Sequence, residues 1–170
     1  MTRDELETII TSYLDSFTTM TLACSVGDEP WAAAVYYARQ DLDLIFFSSP
    51  ACRHSKAFAE NRRAAAAIHG DYRGWKEIKG LQLEGTVKPI KGVVAVTRAF
   101  ACYLKRYPFV SEFFSDPLSL GTGVARKVAK VQLYLFRPEA ILYVNNEEAF
   151  GKRWKLEVKK GHAVGIPTQA

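Results

Sequence analysis

Apolar residues fall at helical spacing at the start of the chain and then settle into short runs of period two. Leu6, Ile9, Ile10, Tyr13 and Leu14 share one helical stripe, and Thr2 with Glu5 has the form of a capping box, so the first element is an amphipathic helix ending near Phe17. Strand-like runs follow at Thr19–Ser25, Trp31–Ala38 and Leu42–Ser48, separated by the turns Val26-Gly-Asp-Glu-Pro30 and Arg39-Gln-Asp41. These read as three successive antiparallel strands with hairpin connections. A short helix is predicted over Arg53–Asn61, an apolar run over Ala64–His69, a loop at Gly70–Gly74 and an alternating strand over Leu81–Ile90. A longer helix starts at Lys91-Gly92 and runs through Leu104, with Pro108 stopping it. A helical turn at Val110–Phe114, a loop at Ser115–Gly123 and strands at Val131–Arg137, Ile141–Asn145 and Trp154–Val158 complete the order.

Many short strands with regular turn signals favour a closed barrel, because closure removes exposed strand edges. The predicted class is mainly β with α: a barrel of about six to eight antiparallel strands with flanking helices, in one domain spanning residues 1–170. Ala32–Tyr37 and Ile45–Phe47 are apolar on both faces, so the outside of the barrel also needs cover. A second copy of the chain is the economical cover, and a homodimer is expected.

Composition narrows the class without naming a function. An apolar share of 48% in 170 residues suffices for a core without staples. Cys24, Cys52 and Cys102 are odd in number and form no Cys-x-x-Cys pair, which fits reduced thiols in the cytoplasm. The acidic start Met1-Thr-Arg-Asp-Glu-Leu-Glu is no signal peptide, and no apolar run reaches the ~18 residues of a membrane span. His54, His69 and His162 lack the spacing of a shared metal site, so no metal is expected. The net charge of +5 favours an anionic ligand, small molecule or nucleic acid alike. A single-stranded nucleic-acid barrel is therefore a competing class. Against it, Phe46, Phe47, Tyr134 and Phe136 lie inside apolar runs where rings form core.

The densest chemistry lies where the run Leu44-Ile-Phe-Phe-Ser48 leads through Ser49 and Cys52 into the helix start Arg53-His-Ser-Lys56. Free backbone N–H groups at a helix N-terminus attract anions, while cations there oppose the macrodipole by roughly 0.3–1 kcal/mol each. Either the segment grips a phosphate with Ser48, Ser49, Arg53, His54, Ser55 and Lys56, or it is a solvated helix start with a basic cluster. Cys52 sits where a thiol pKa can fall, but no base and orienting carboxylate stand at readable spacing.

Taken in order, Pro30-Trp-Ala-Ala-Ala-Val-Tyr-Tyr, Leu44-Ile-Phe-Phe-Ser-Ser, Cys52-Arg-His, Asn61-Arg-Arg-Ala-Ala-Ala-Ala and Leu81-Gln-Leu-Glu-Gly85 resemble the pyridoxamine 5′-phosphate oxidase-like FMN-binding split-barrel superfamily. Phe150-Gly-Lys-Arg153 resembles a flavin-proximal segment of some branches. The resemblance implies a homodimer with FMN at the interface. The phosphate would lie on Ser48 or Ser49, Arg53 and His54, with Ser55 and Lys56 in support, and the ring along Ala34, Val35 and Tyr36, with Gln82 and Arg153 near it. It further implies an oxidoreductase acting on a small molecule, or else a non-catalytic flavin or haem binder or redox sensor. The oxidase's own cationic strand stands here as Ala33-Ala-Val-Tyr-Tyr-Ala38, its Arg-Gln pair as Lys79-Gly80, and its Arg-Leu-x-Pro ending is replaced by Gly165-Ile-Pro-Thr-Gln-Ala170. The resemblance is therefore to a divergent branch and does not carry the pyridoxamine substrate with it.

Overall fold

In the computed structural model, which describes residues 1–111 and 131–170, the capping box forms as the sequence requires. Thr2 Oγ1 accepts from the Glu5 amide at 3.3 Å and the Glu5 carboxylate accepts from the Thr2 amide at 2.7 Å, starting α1 (Arg3–Ser16). The helix buries Leu6, Ile10 and Leu14 against the inner face of the sheet. Of the expected turn at 110–114, Val110 and Ser111 are described and helical, and the rest lies outside the described residues together with the loop of Ser115–Gly123.

The described strands are β1 (Thr19–Val26), β2 (Glu29–Tyr36), β3 (Ala38–Gln40), β4 (Asp43–Ser48), β5 (Arg63–His69), β6 (Lys79–Pro89), β7 (Gln132–Asn145), β8 (Arg153–Lys159) and β9 (His162–Gln169). Between them come α2 (Arg53–Glu60), a 3-10 turn at Trp75–Glu77, and α3 (Val93–Arg106). All pairings are antiparallel. The strand order is β2-β1-β5-β6-β7-β4-β3, with β8 and β9 continuing from β7. The long β7 carries β6 on one edge, and β4 and then β8 on the other. The strand pattern predicted an antiparallel barrel of about six to eight strands and the family resemblance its split form; nine strands are described.

The expected three-strand meander breaks after its second member. β4 pairs with β7 rather than with β2, so β2 and β3 become the two ends of the sheet although they adjoin in sequence. The break falls at Tyr37, a fully buried residue. Its amide donates to the Thr18 carbonyl at 3.0 Å, its hydroxyl to Leu14 O at 2.7 Å, and its own carbonyl accepts from the Tyr107 hydroxyl. Backbone groups that leave the ladder thus find partners elsewhere, as burial demands.

Two further differences have local causes. The runs 131–137 and 141–145 are one strand, bent where Gly85 pairs with Pro138 and Glu84 with Ala140, so that Glu139 is left over as a bulge. A Cβ at Gly85 would stand 2.1 Å from the Arg137 carbonyl oxygen, which only glycine avoids. β9, not among the expected strands, contains Gly165 and Pro167; among the described strands it pairs with β8 alone, where an edge strand tolerates proline.

The two-faced apolarity of β4 also resolves within the chain. Leu44 and Phe46 enter the barrel core, while Ile45 and Phe47 face a second cluster built with Ala99, Tyr103 and Tyr107 around α3. The cover expected from a second copy is, at this strand, the chain's own helix. Among the described residues β2 is covered less: Tyr36 meets the Tyr107 and Phe109 rings edge-on, yet Trp31 is 41% and Tyr36 50% exposed. Arg106, at the end of α3, donates to the carbonyls of Leu14, Asp15 and Phe17 and so caps the C-terminus of α1. Tyr107→Phe removes the donor to the Thr18 and Tyr37 carbonyls. It is expected to cost about 2 kcal/mol and lower Tm by roughly 4–8 °C in a thermal melt.

Candidate functional site

β4 delivers Ser48 to the split, and a turn through residues 49–51 brings the chain to Cys52, the N-cap of α2 in extended conformation. The reversal folds four side chains together. Ser48 Oγ is in hydrogen-bond contact with His54 Nε2 and 3.1 Å from Cys52 Sγ, which is 3.2 Å from His54 Nε2 and 3.1 Å from Ser55 Oγ. The thiol also reaches the Ser49 carbonyl at 2.9 Å, and Ser49 Oγ accepts from the Ala51 amide at 3.2 Å. Burial pushes the Cys52 thiol up, but hydrogen bonds from the Ser48 and Ser55 hydroxyls and from the Ser55 and Cys52 amides outweigh it, and its pKa lies below the ordinary thiol value. Burial alone holds the His54 imidazole below its usual value.

Ser48 and His54 line a cavity of about 520 Å³ together with Ala34, Val35 and Tyr36 of β2. Phe47, Tyr103 and Phe109 supply its aromatic sides. Among the described strands β2 pairs with β1 alone, and the Tyr103 hydroxyl reaches the Tyr36 carbonyl at 3.4 Å. A concave, mostly apolar space of roughly 300–1,000 Å³ with a few convergent polar groups is what a small ligand or cofactor needs.

The structure divides the predicted phosphate grip. Arg53 pairs with Glu29 at 3.1 Å, lies 4.4 Å over the Trp31 ring, and lines a neighbouring cavity with Lys56. Ser55 is buried beneath Cys52. Gln82 stands on the exposed face of β6 and Arg153 is exposed at the start of β8, neither of them lining the Ser48 cavity. Sequence reasoning missed Tyr103, Phe109, Val110 and Val131 among the lining residues, since they come from distant segments with no local signal. It also missed the contact between Cys52 and His54, because helical spacing rules fail where the N-cap backbone is extended.

This sheet with its split defines the fold class: a split barrel like those of pyridoxamine 5′-phosphate oxidase-family structures. Among solved structures, a heme-binding protein from Mycobacterium smegmatis superposes with a TM-score of 0.66 at 18% identity over 91% of this chain, which spans only 57% of that protein. A putative pyridoxamine 5′-phosphate oxidase from Listeria innocua gives 0.62 at 18% identity, covering 82% of this chain and 98% of the other. An FAD-binding protein from Mesorhizobium loti gives 0.60 at 16%, covering 77% and 88%. No family model matches the chain. A UPF0306 protein from Photorhabdus laumondii is 30% identical over 102 residues, 59% of this chain and 71% of the relative, and the chain belongs to the UPF0306 family.

The thiol environments give a direct test. Burial raises the Cys24 and Cys102 pKa values while that of Cys52 is lowered. Iodoacetamide at pH 7 is expected to modify Cys52 first by peptide mass spectrometry, and Ser48→Ala or Ser55→Ala to slow that reaction. Earlier labelling of Cys24 or Cys102 would contradict the assignment.

Proposed function

We propose that the chain is an FMN-binding flavoprotein, an oxidoreductase acting on a small molecule, and that it works as a cytoplasmic homodimer. The observation that carries this reading is one juxtaposition: Ala34–Tyr36 of the edge strand β2 line the same aromatic-walled cavity of about 520 Å³ as the hydrogen-bonded Ser48 and His54. Edge N–H and C=O groups suit the hydrogen-bonding rim of a flavin ring, and a hydroxyl beside an imidazole suits its phosphate. When bound, the flavin would supply hydride chemistry, and the protein would supply shape and electrostatics.

The chain's own residues then have distinct tasks. Ser48 and His54 hold the phosphate end, and Tyr103, Phe109 and Phe47 exclude water from the ring end. Arg53 joins them by leaving Glu29, an exchange that costs little because its side chain is 52% exposed in that pair. Gln82, Arg153 and the uncovered β2 face belong, in this reading, to contacts with a second subunit. Haem is the second reading, favoured by the half-buried His54 facing the cavity with its neutral form stabilised by burial, as a metal ligand requires.

A visible-spectrum titration separates the two: FMN is expected to bind saturably, and uptake of haem without FMN would overturn the first reading. Arg53→Ala should weaken FMN about tenfold or more while Lys105→Ala, an exposed control on α3, leaves it within twofold. A bound phosphate raises the His54 pKa above its depressed free value. Affinity is therefore fullest below the depressed free-state pKa and is lost as pH rises through the higher bound-state value. By fluorescence quenching, FMN should bind progressively more weakly as pH rises through the bound-state pKa of His54, and His54→Ala should flatten that slope.

A further inference from the structure

A second cavity, of about 480 Å³, lies at the opposite end of the contact between α3 and the sheet. Its composition follows from strand periodicity. On β4, Asp43, Ile45 and Phe47 point away from the core, as Leu133, Leu135 and Arg137 do on β7. α3 covers the apolar part of that face, with the Tyr103 ring 4.8 Å from Phe47 and Ala99 in the cluster of Ile45 and Leu133. Towards the helix start the sheet turns polar, and the space between opens over a floor of Ile45, Ile90, Ala99 and Leu135.

The rim is cationic. Asp43, 7% exposed, takes Arg137 in a fork, Nη2 and Nε lying 2.8 and 3.1 Å from Oδ2. Lys88, Lys91, Arg98 and Lys160 remain, facing the carboxylate of Asp41. None of these four has a salt-bridge or side-chain hydrogen-bond partner among the described residues. Lys160 is held there by a tight β8–β9 turn, Lys160 and Gly161 at φ 53° and 82°, which is tied down by the Leu42 amide donating to Gly161 O at 3.0 Å. The first turn of α3 has no acidic residue and no side-chain cap, so its amides add to the positive field. Four unpaired cations around one concavity repel each other, and a bound anion removes that repulsion.

We propose that this cavity is a binding site for a phosphorylated small molecule with an apolar body, its phosphate on Arg98, Lys91 and Lys88 and its organic part on Ile45, Ile90, Ala99 and Leu135. The cations ring a single concavity rather than form a stripe, which fits a compact monoester better than an extended polyanion. The site shares α3 with the Ser48 cavity, where Tyr103 lines the other end of the helix.

Calorimetric titration with phenyl phosphate tests the assignment on the full chain. Saturable binding is expected, about tenfold weaker in Arg98→Ala and in Lys91→Ala, which alters the loop before the helix rather than the helix itself. Lys105→Ala and His54→Ala should each change it less than twofold, and inorganic phosphate should bind at least about threefold more weakly for want of the apolar body. Absence of saturable binding would overturn the proposal. So would equal losses in Lys105→Ala, which would mean a diffuse charge effect, or in His54→Ala, which would put the probe in the Ser48 cavity.

Discussion

The hydroxyl of Tyr107 on the carbonyl of Tyr37 holds the molecule open at the place where a regular sheet would close. A strand that leaves its neighbour abandons backbone partners, and in a buried position each abandoned group costs about 1–3 kcal/mol. Here the Tyr37 amide, carbonyl and side-chain hydroxyl all find acceptors or donors outside the sheet, supplied by Thr18, Tyr107 and Leu14. Tyr107 lies just beyond α3, and Arg106 beside it caps α1, so the two helices and the sheet break are fastened at one point. Without that fastening the chain between β2 and β3 has reason to pair regularly, and the cavity would disappear.

What the split leaves behind has chemical value. β2, at the end of the described sheet, shares a cavity with the end of β4, whose tip is turned by Ser49 and Cys52 into α2. The same turn packs Ser48, Cys52, His54 and Ser55 within hydrogen-bond reach. Arg53, the cation that sequence made the centre of an anion site, points the other way, towards Glu29 and Trp31. An exposed pair of this kind contributes little, so Arg53 is a reserve charge rather than a fixed wall.

Local signals made much of this legible. The capping box at Thr2 and Glu5, the alternation along 81–90 and the apolar run into Ser48 each specify an element, and each is present. What escaped depends on contacts far apart in the chain. Nothing near Tyr37 announces that Tyr107 will take its carbonyl, and nothing near Ile45 and Phe47 announces α3 as their cover. Pro138 and Pro167 lack an amide for the ladder, yet a bulge and an edge strand accommodate them. Of the expected site residues, Ser48, His54 and Ala34–Tyr36 share one cavity, while the direction of Arg53, set by a residue 24 positions earlier, has no local signal in the sequence.

The central claim is that the space opened by the split seats a flavin. Crystals grown with FMN, examined by difference electron density, test it most directly. The account predicts the ring against the main chain of Ala34–Tyr36 and phosphate oxygens within hydrogen-bond distance of Ser48 and His54. Density for the flavin in the Lys88–Arg98 cavity, or an occupied crystal with nothing beside Ser48, would contradict it.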